Sequence, residues 1–99
     1  MSATPEGKLK AQVKAYLDEL GAYYFMPRPT EWGQNGVDFF CCVKGRFVAI
    51  ETKIRPRKAT PLQLLCLGKV REAGGIGFVA YDIIDVRVGL EYADEDLTK

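Results

Sequence analysis

Apolar residues recur at helical spacing over the first twenty positions. Leu9, Val13, Tyr16, Leu17 and Leu20 fall on one face of a 3.6-residue turn. Thr4-Pro5 precedes them as a cap with proline at the first helical position, and Gly21 follows as a stop. The pattern predicts a helix between Thr4 and Gly21. Residues 22–26 are a short aromatic run ended by Pro27 and Pro29, which predicts a strand and then a Gly- and Asn-rich loop through Gly36. Residues 37–43 and 46–53 are two β-rich runs separated by Lys44-Gly45, the form of a tight hairpin. Thr60-Pro61-Leu62-Gln63 repeats the cap-then-proline opening, and Leu67, Val70 and Ala73 carry a second helix to Gly74-Gly75. Residues 76–81 read as a fourth strand, 82–90 as a turn and short helix, and 91–99 as an acidic, frayed tail.

Helix, strand, hairpin, helix, strand is the α/β order α-β-β-β-α-β, which predicts a mixed central sheet flanked by helices. Ninety-nine residues suit a single domain, with the core expected within about residues 4–90. A chain of this size buries roughly two-thirds of its unfolded surface, enough for one core. The first residues lack the apolar centre of a signal peptide, and no run approaches the ~20 apolar residues of a membrane span. The expected setting is therefore cytoplasmic, without a membrane partner. Cys41, Cys42 and Cys66 are an odd count, and the adjacent pair would point to opposite faces of a strand, so buried free thiols are expected rather than a metal or redox role. Gly74-Gly75-Ile76-Gly77 follows a helix and precedes a strand, the reverse of a phosphate-cradling loop, and reads as helix termination.

Composition then restricts the chemistry. The chain has no histidine, which excludes Ser-His-Asp and Cys-His nucleophile systems, Cys/His zinc sites and any imidazole proton shuttle. Carboxylates, lysine, backbone groups or a recruited metal ion are left. A net charge of +1 conceals an asymmetry: residues 44–58 hold six basic groups and one acid, whereas residues 82–99 hold six acids and two bases. The basic block is either a polyanion footprint or a solvated loop.

A two-residue turn at Lys44-Gly45 pairs Val43 with Arg46, Cys42 with Phe47, Phe40 with Ala49 and, finally, Asp38 with Glu51. Like charges directly opposed across a ladder destabilise a sheet. Phe40, Cys42, Phe47 and Ala49 share that face and Phe39, Cys41, Val48 and Ile50 the other, so both faces are expected to be buried. Lys53 shares the face of Glu51. A half-buried acid pair beside a lysine requires a cation or a proton, and oxygen ligands suit Mg2+ or Mn2+. A bulge that shifts the register, or a simple Asp38–Lys53 salt bridge, would account for the same residues. Glu6 lies on the apolar stripe of the first helix and is either a first-turn helix-dipole charge or an acid facing the sheet. Gln63 closes a Thr60-x-x-Gln63 capping box and also lies on the stripe of Cys66, Leu67 and Val70.

These stretches are Thr-Pro-Glu-Gly at 4–7, Gly-Val-Asp at 36–38, Gly-Arg-Phe-Val-Ala-Ile-Glu-Thr-Lys at 45–53, Thr-Pro-Leu-Gln at 60–63 and Ala-Gly-Gly at 73–75. In this order they resemble the PD-(D/E)XK nuclease core and, more narrowly, the small stand-alone VRR-NUC (virus-type replication-repair nuclease) domain of phage or bacteria. The family usually has Gly-Val-Pro-Asp where this chain has Gly36-Val37-Asp38, a departure that bears on the angle at which Asp38 is presented. The resemblance implies a metal-dependent, structure-selective DNA endonuclease acting as a homodimer on branched DNA such as Holliday junctions, in DNA repair or recombination. It implies that Asp38, Glu51 and the backbone carbonyl of Thr52 hold Mg2+ or Mn2+, with Glu6 helping directly or through water. Lys53 would orient the attacking water or stabilise charge on the phosphate, and Gln63 would support it. Arg55, Arg57 and Lys58 would lie along the DNA backbone, where contacts position DNA without reading sequence. Arg28, Trp32 or Tyr23 would stack on or wedge into distorted DNA, although Tyr23 is read first as a core residue. The alternatives are a non-catalytic DNA-binding module and a protein-interaction subunit of the same fold.

Overall fold

The computed structural model describes residues 4–28 and 36–98, with side chains described as far as Glu91. The elements are α1 (Pro5–Glu19), β1 (Tyr23–Phe25), β2 (Phe39–Val43), β3 (Arg46–Thr52), α2 (Pro61–Glu72), β4 (Ile76–Ala80) and α3 (Ile83–Thr98). Most of the predicted loop, including Trp32, lies outside the described residues.

Both cap-then-proline signals start helices. The Thr4 hydroxyl accepts from the Gly7 N–H at 3.0 Å. At α2 the capping box is complete: Thr60 Oγ1 accepts from the Gln63 N–H at 3.1 Å, and Gln63 Oε1 accepts from the Thr60 N–H at 2.9 Å. The four strands form one sheet in the order β1-β2-β3-β4, antiparallel except for the parallel pair β3–β4. Lys44 and Gly45 both take positive φ, 51° and 82°, as the tightest hairpin turn requires. They set the predicted register, from Val43 opposite Arg46 to Phe40 opposite Ala49.

Alternation along β2 and β3 sends side chains into two cores. Phe39, Cys41, Val43, Val48 and Ile50 pack on the side of α1 and α3, against Leu9, Val13, Leu17, Val86 and Leu90. Phe40 and Ala49 pack on the opposite side against Leu67 of α2. Each fully buried Leu, Ile or Phe contributes about 1.5–3 kcal/mol of hydrophobic stabilisation before entropy. The second face is covered only in part: Phe47 is 48% exposed and Cys42 is exposed. The expectation of two buried faces and three buried thiols is corrected there. Cys41 is the fully buried thiol; burial pushes its pKa up to about 12, and its S–H donates to the Val48 carbonyl.

Two further expectations are revised. Tyr23 is not a core residue, because β1 is an edge strand and its ring is 79% exposed. The acidic segment continues the last helix: α3 runs to Thr98. Asp82 starts it by accepting from the Asp85 N–H at 2.9 Å, while the Asp85 carboxylate accepts from the Tyr81 N–H at 2.8 Å. Buried Val86 and Leu90, four residues apart, dock the helix, and Asp82-x-x-Asp85 was the signal for its start.

Gly74 ends α2 with a φ of 98°, and Gly77 lets that helix lie close on β4. A Cβ on Gly77 would stand 2.8 Å from the Leu67 carbonyl oxygen, whereas one on Gly68 meets only the end of Arg71 at 3.9 Å. Gly77→Ala is therefore expected to cost about 1–3 kcal/mol in urea unfolding. Gly68→Ala, in the interior of α2, is expected to gain about 0.5–1 kcal/mol in the same assay.

Candidate active site

The β2–β3 ladder ends at Phe39 opposite Ile50, so Asp38 and Glu51 are not the directly opposed ladder pair expected from the register. In a regular strand Val37 would share a face with Phe39. Instead it is buried with Phe40, Ala49 and Leu67 on the α2 side. The chain therefore bends at Asp38, which redirects its carboxylate across the end of β3.

Two hydrogen bonds replace the missing rung. The Asp38 N–H donates to Glu51 Oε1 at 3.1 Å, and the Thr52 N–H donates to Asp38 Oδ2 at 3.0 Å. The Thr52 hydroxyl donates to the same Asp38 oxygen. Each acid is thus pinned by the backbone of the other's strand, so two like charges sit close without facing each other bare.

The remaining oxygens meet ammonium groups. Glu51 Oε2 lies 3.4 Å from Lys53 Nζ, and Asp38 Oδ1 lies 3.5 Å from Lys10 Nζ. Lys10 also holds Glu6 Oε2 at 3.0 Å, one helical turn back on α1. An Asp38–Lys53 bridge, one alternative reading of the sequence, is replaced by Lys53–Glu51 and Lys10–Asp38. Glu51 is buried, at 2% exposure. Burial first, then the Asp38 charge, pushes its pKa up to about 7, with Lys53 and the Asp38 N–H pulling the other way. The Lys10 ammonium beside Glu6 holds that carboxyl below the usual range, helped by the charges of Arg57 and Lys53. Partial burial draws the Lys10 pKa down, but Glu6 and Asp38 outweigh it and the net shift is upward.

The site thus gathers Asp38, Glu51, Thr52 and Lys53, with Glu6 joined through Lys10. Gln63 is occupied in capping α2; one turn further on, the Cys66 thiol is raised by burial and by the Glu51 charge. Arg57 borders the site through its field on Glu6. Its N–H donates to the Ile54 carbonyl at 3.0 Å, folding the basic segment back after β3. Arg55 lies 4.1 Å over the Tyr81 ring, a cation–π contact that holds it beside the end of β4. Lys58 and Arg28 are exposed. Sequence reasoning missed Lys10, although its spacing from Glu6 is the i,i+4 spacing of helix ion pairs. It also considered Thr52 only for its carbonyl, whereas the amide and hydroxyl anchor Asp38.

Among the described residues no three acidic or thiol groups gather into a metal cage. Two carboxylates and a nearby backbone carbonyl nevertheless fit Mg2+ or Mn2+, which commonly take one or two carboxylates and complete their shell with water and phosphate oxygens. Among those residues no helix is long and apolar enough to cross a membrane.

No protein-family model matches the chain, and no curated protein matches it. Among solved structures, one described as a VRR_NUC domain is similar over 90% of this chain and 97% of its own, with a TM-score of 0.76 and 24% sequence identity. The likeness is one of fold, and it bears out the α/β architecture that the sequence resemblance implied.

The raised Glu51 pKa has a consequence for stability in metal-free buffer. The folded state holds this proton more tightly than the unfolded chain. The associated stability is therefore complete below about pH 4.5 and lost as pH rises through about 7. A loss of about 3 kcal/mol from this group is expected between pH 4.5 and 8, read by urea denaturation in EDTA. Glu51→Gln is expected to flatten that slope, and an unchanged slope would contradict the burial of an ionisable Glu51.

Proposed function

We propose that the chain is a divalent-metal-dependent DNA endonuclease that hydrolyses phosphodiester bonds. The observation that carries the reading is the pair Asp38 Oδ1 and Glu51 Oε2. Each belongs to a carboxylate fixed through its other oxygen by a backbone N–H, and each faces a cationic group. Such oxygens suit a hard cation, and the likeness to a VRR_NUC domain supports the choice of chemistry.

Asp38, Glu51 and the backbone carbonyl of Thr52 would hold Mg2+ or Mn2+, with Glu6 contributing through water. A divalent ion there supplies Lewis acidity toward the phosphoryl oxygens and the attacking water, work that histidine does elsewhere. The protein's own groups do the rest. Thr52 fixes the rotamer of Asp38. Lys53, 15% exposed and anchored on β3, presents a fixed ammonium to charge developing on the phosphate or orients the water. Arg55, Arg57 and Lys58 follow β3, with Arg57 within electrostatic reach of Glu6, and form a track for the DNA backbone, with Arg28 after β1 as a further contact. Gln63 supports the site from the start of α2. The reading includes a homodimer acting on branched DNA such as Holliday junctions, because one site per protomer cuts one strand and symmetric cutting of a four-way junction needs two.

The test is incubation of the purified protein with labelled four-way junction, flap and linear duplex in Mg2+, Mn2+ or EDTA. Nicking in either metal, absent in EDTA, is expected. Lys53→Ala is expected to lose at least ~10²-fold in rate, and Glu51→Ala all metal-dependent cutting. Tight DNA binding without product in any metal would replace the enzyme with a non-catalytic DNA-binding module. Binding to none of the substrates would leave a protein-interaction subunit.

A further inference from the structure

Lys10 is the one charged group in the site that neither the sequence pattern nor the roles above account for. Its ammonium touches two acids from different elements, Glu6 on its own helix at 3.0 Å and Asp38 at the end of β2 at 3.5 Å. The Asp38 atom it touches is Oδ1, the oxygen that Thr52 leaves available. The position a divalent cation would share with Asp38 is therefore bordered by a lysine from α1.

The two lysines of the site differ in their freedom to move. Lys53 follows β3, and its backbone N–H is fixed to the Ala80 carbonyl at 3.0 Å. Its side chain is 15% exposed, against 27% for Lys10. Lys10 also has a second partner: if its contact with Asp38 breaks, the shorter contact with Glu6 on the same helix face remains. It can retreat by rotating its flexible stem, without moving backbone.

We propose that Lys10 is a resident counter-ion of the site, whose ammonium neutralises Asp38 in the metal-free protein and is displaced onto Glu6 when a divalent cation binds. The inference rests on the metal reading above and adds an exchange to it: one protein cation leaves Asp38 as the ion arrives. The metal must then compete with Lys10. A partly exposed ion pair is worth up to about 1 kcal/mol, which corresponds to a factor of about 5 in affinity.

The experiment is titration of the purified protein with Mn2+ in the absence of DNA, with free Mn2+ followed by electron paramagnetic resonance. It compares the wild-type protein with Lys10→Met, Lys10→Arg and Asp38→Asn. Mn2+ binding lost in Asp38→Asn is expected, with Lys10→Met binding about 5-fold tighter than wild type. Lys10→Arg, which keeps the charge, is expected to bind no tighter than wild type and controls for a loss of packing. Unchanged or weaker binding in Lys10→Met overturns the inference and leaves the metal reading intact. Tighter binding in Lys10→Arg overturns it too, because the gain would not follow the charge. If the wild-type protein shows no Asp38-dependent Mn2+ binding, the metal reading fails and this inference fails with it.

Discussion

Two hydrogen bonds crossing the end of the β2–β3 ladder in opposite directions hold the site together. One runs from the Asp38 N–H to Glu51, the other from the Thr52 N–H to Asp38. Burying an ionised carboxylate without partners costs several kcal/mol, while a hydrogen bond to a charged group returns about 1.5–3 kcal/mol. The reciprocal pair lets Glu51 lie in the core and Asp38 bend over the strand end. It also fixes which oxygen of each acid is left for a cation.

The layers around the sheet bring different chemistry to that point. On one side α1 carries Glu6 and Lys10; on the other α2 brings Cys66 within electrostatic reach of Glu51. The basic segment after β3 turns back at Ile54, so Arg57 stays within electrostatic reach of Glu6 and Arg55 rests on Tyr81. An acid-lined point thus has a cationic margin.

Much of this was legible in the chain. Two Thr-Pro caps, a Lys-Gly turn and alternating apolar runs located four strands and two helices, because each is a local signal with a local cause. The hairpin turn then set the register that brings Asp38 and Glu51 to the same end of the sheet. Other features depended on tertiary packing. Alternation alone could not show that Val37 leaves the strand pattern to join Leu67, and that departure turns Asp38 toward Thr52. The partial cover over Phe47 and Cys42 and the approach of Lys10 from α1 to Asp38 likewise depend on how the helices sit on the sheet. The continuation of α3 to Thr98 was obscured by the charge of the segment.

In the proposed function, a cation held between two carboxylates, each pinned through one oxygen, is the centre of the chemistry. Anomalous diffraction from crystals of the protein grown with Mn2+ tests that most directly. The account predicts a peak within coordination distance, about 2.0–2.2 Å, of both Asp38 Oδ1 and Glu51 Oε2, with the Lys10 ammonium withdrawn from Asp38. Crystals at saturating Mn2+ with no peak bridging these two oxygens, and with Lys10 still on Asp38, would contradict it.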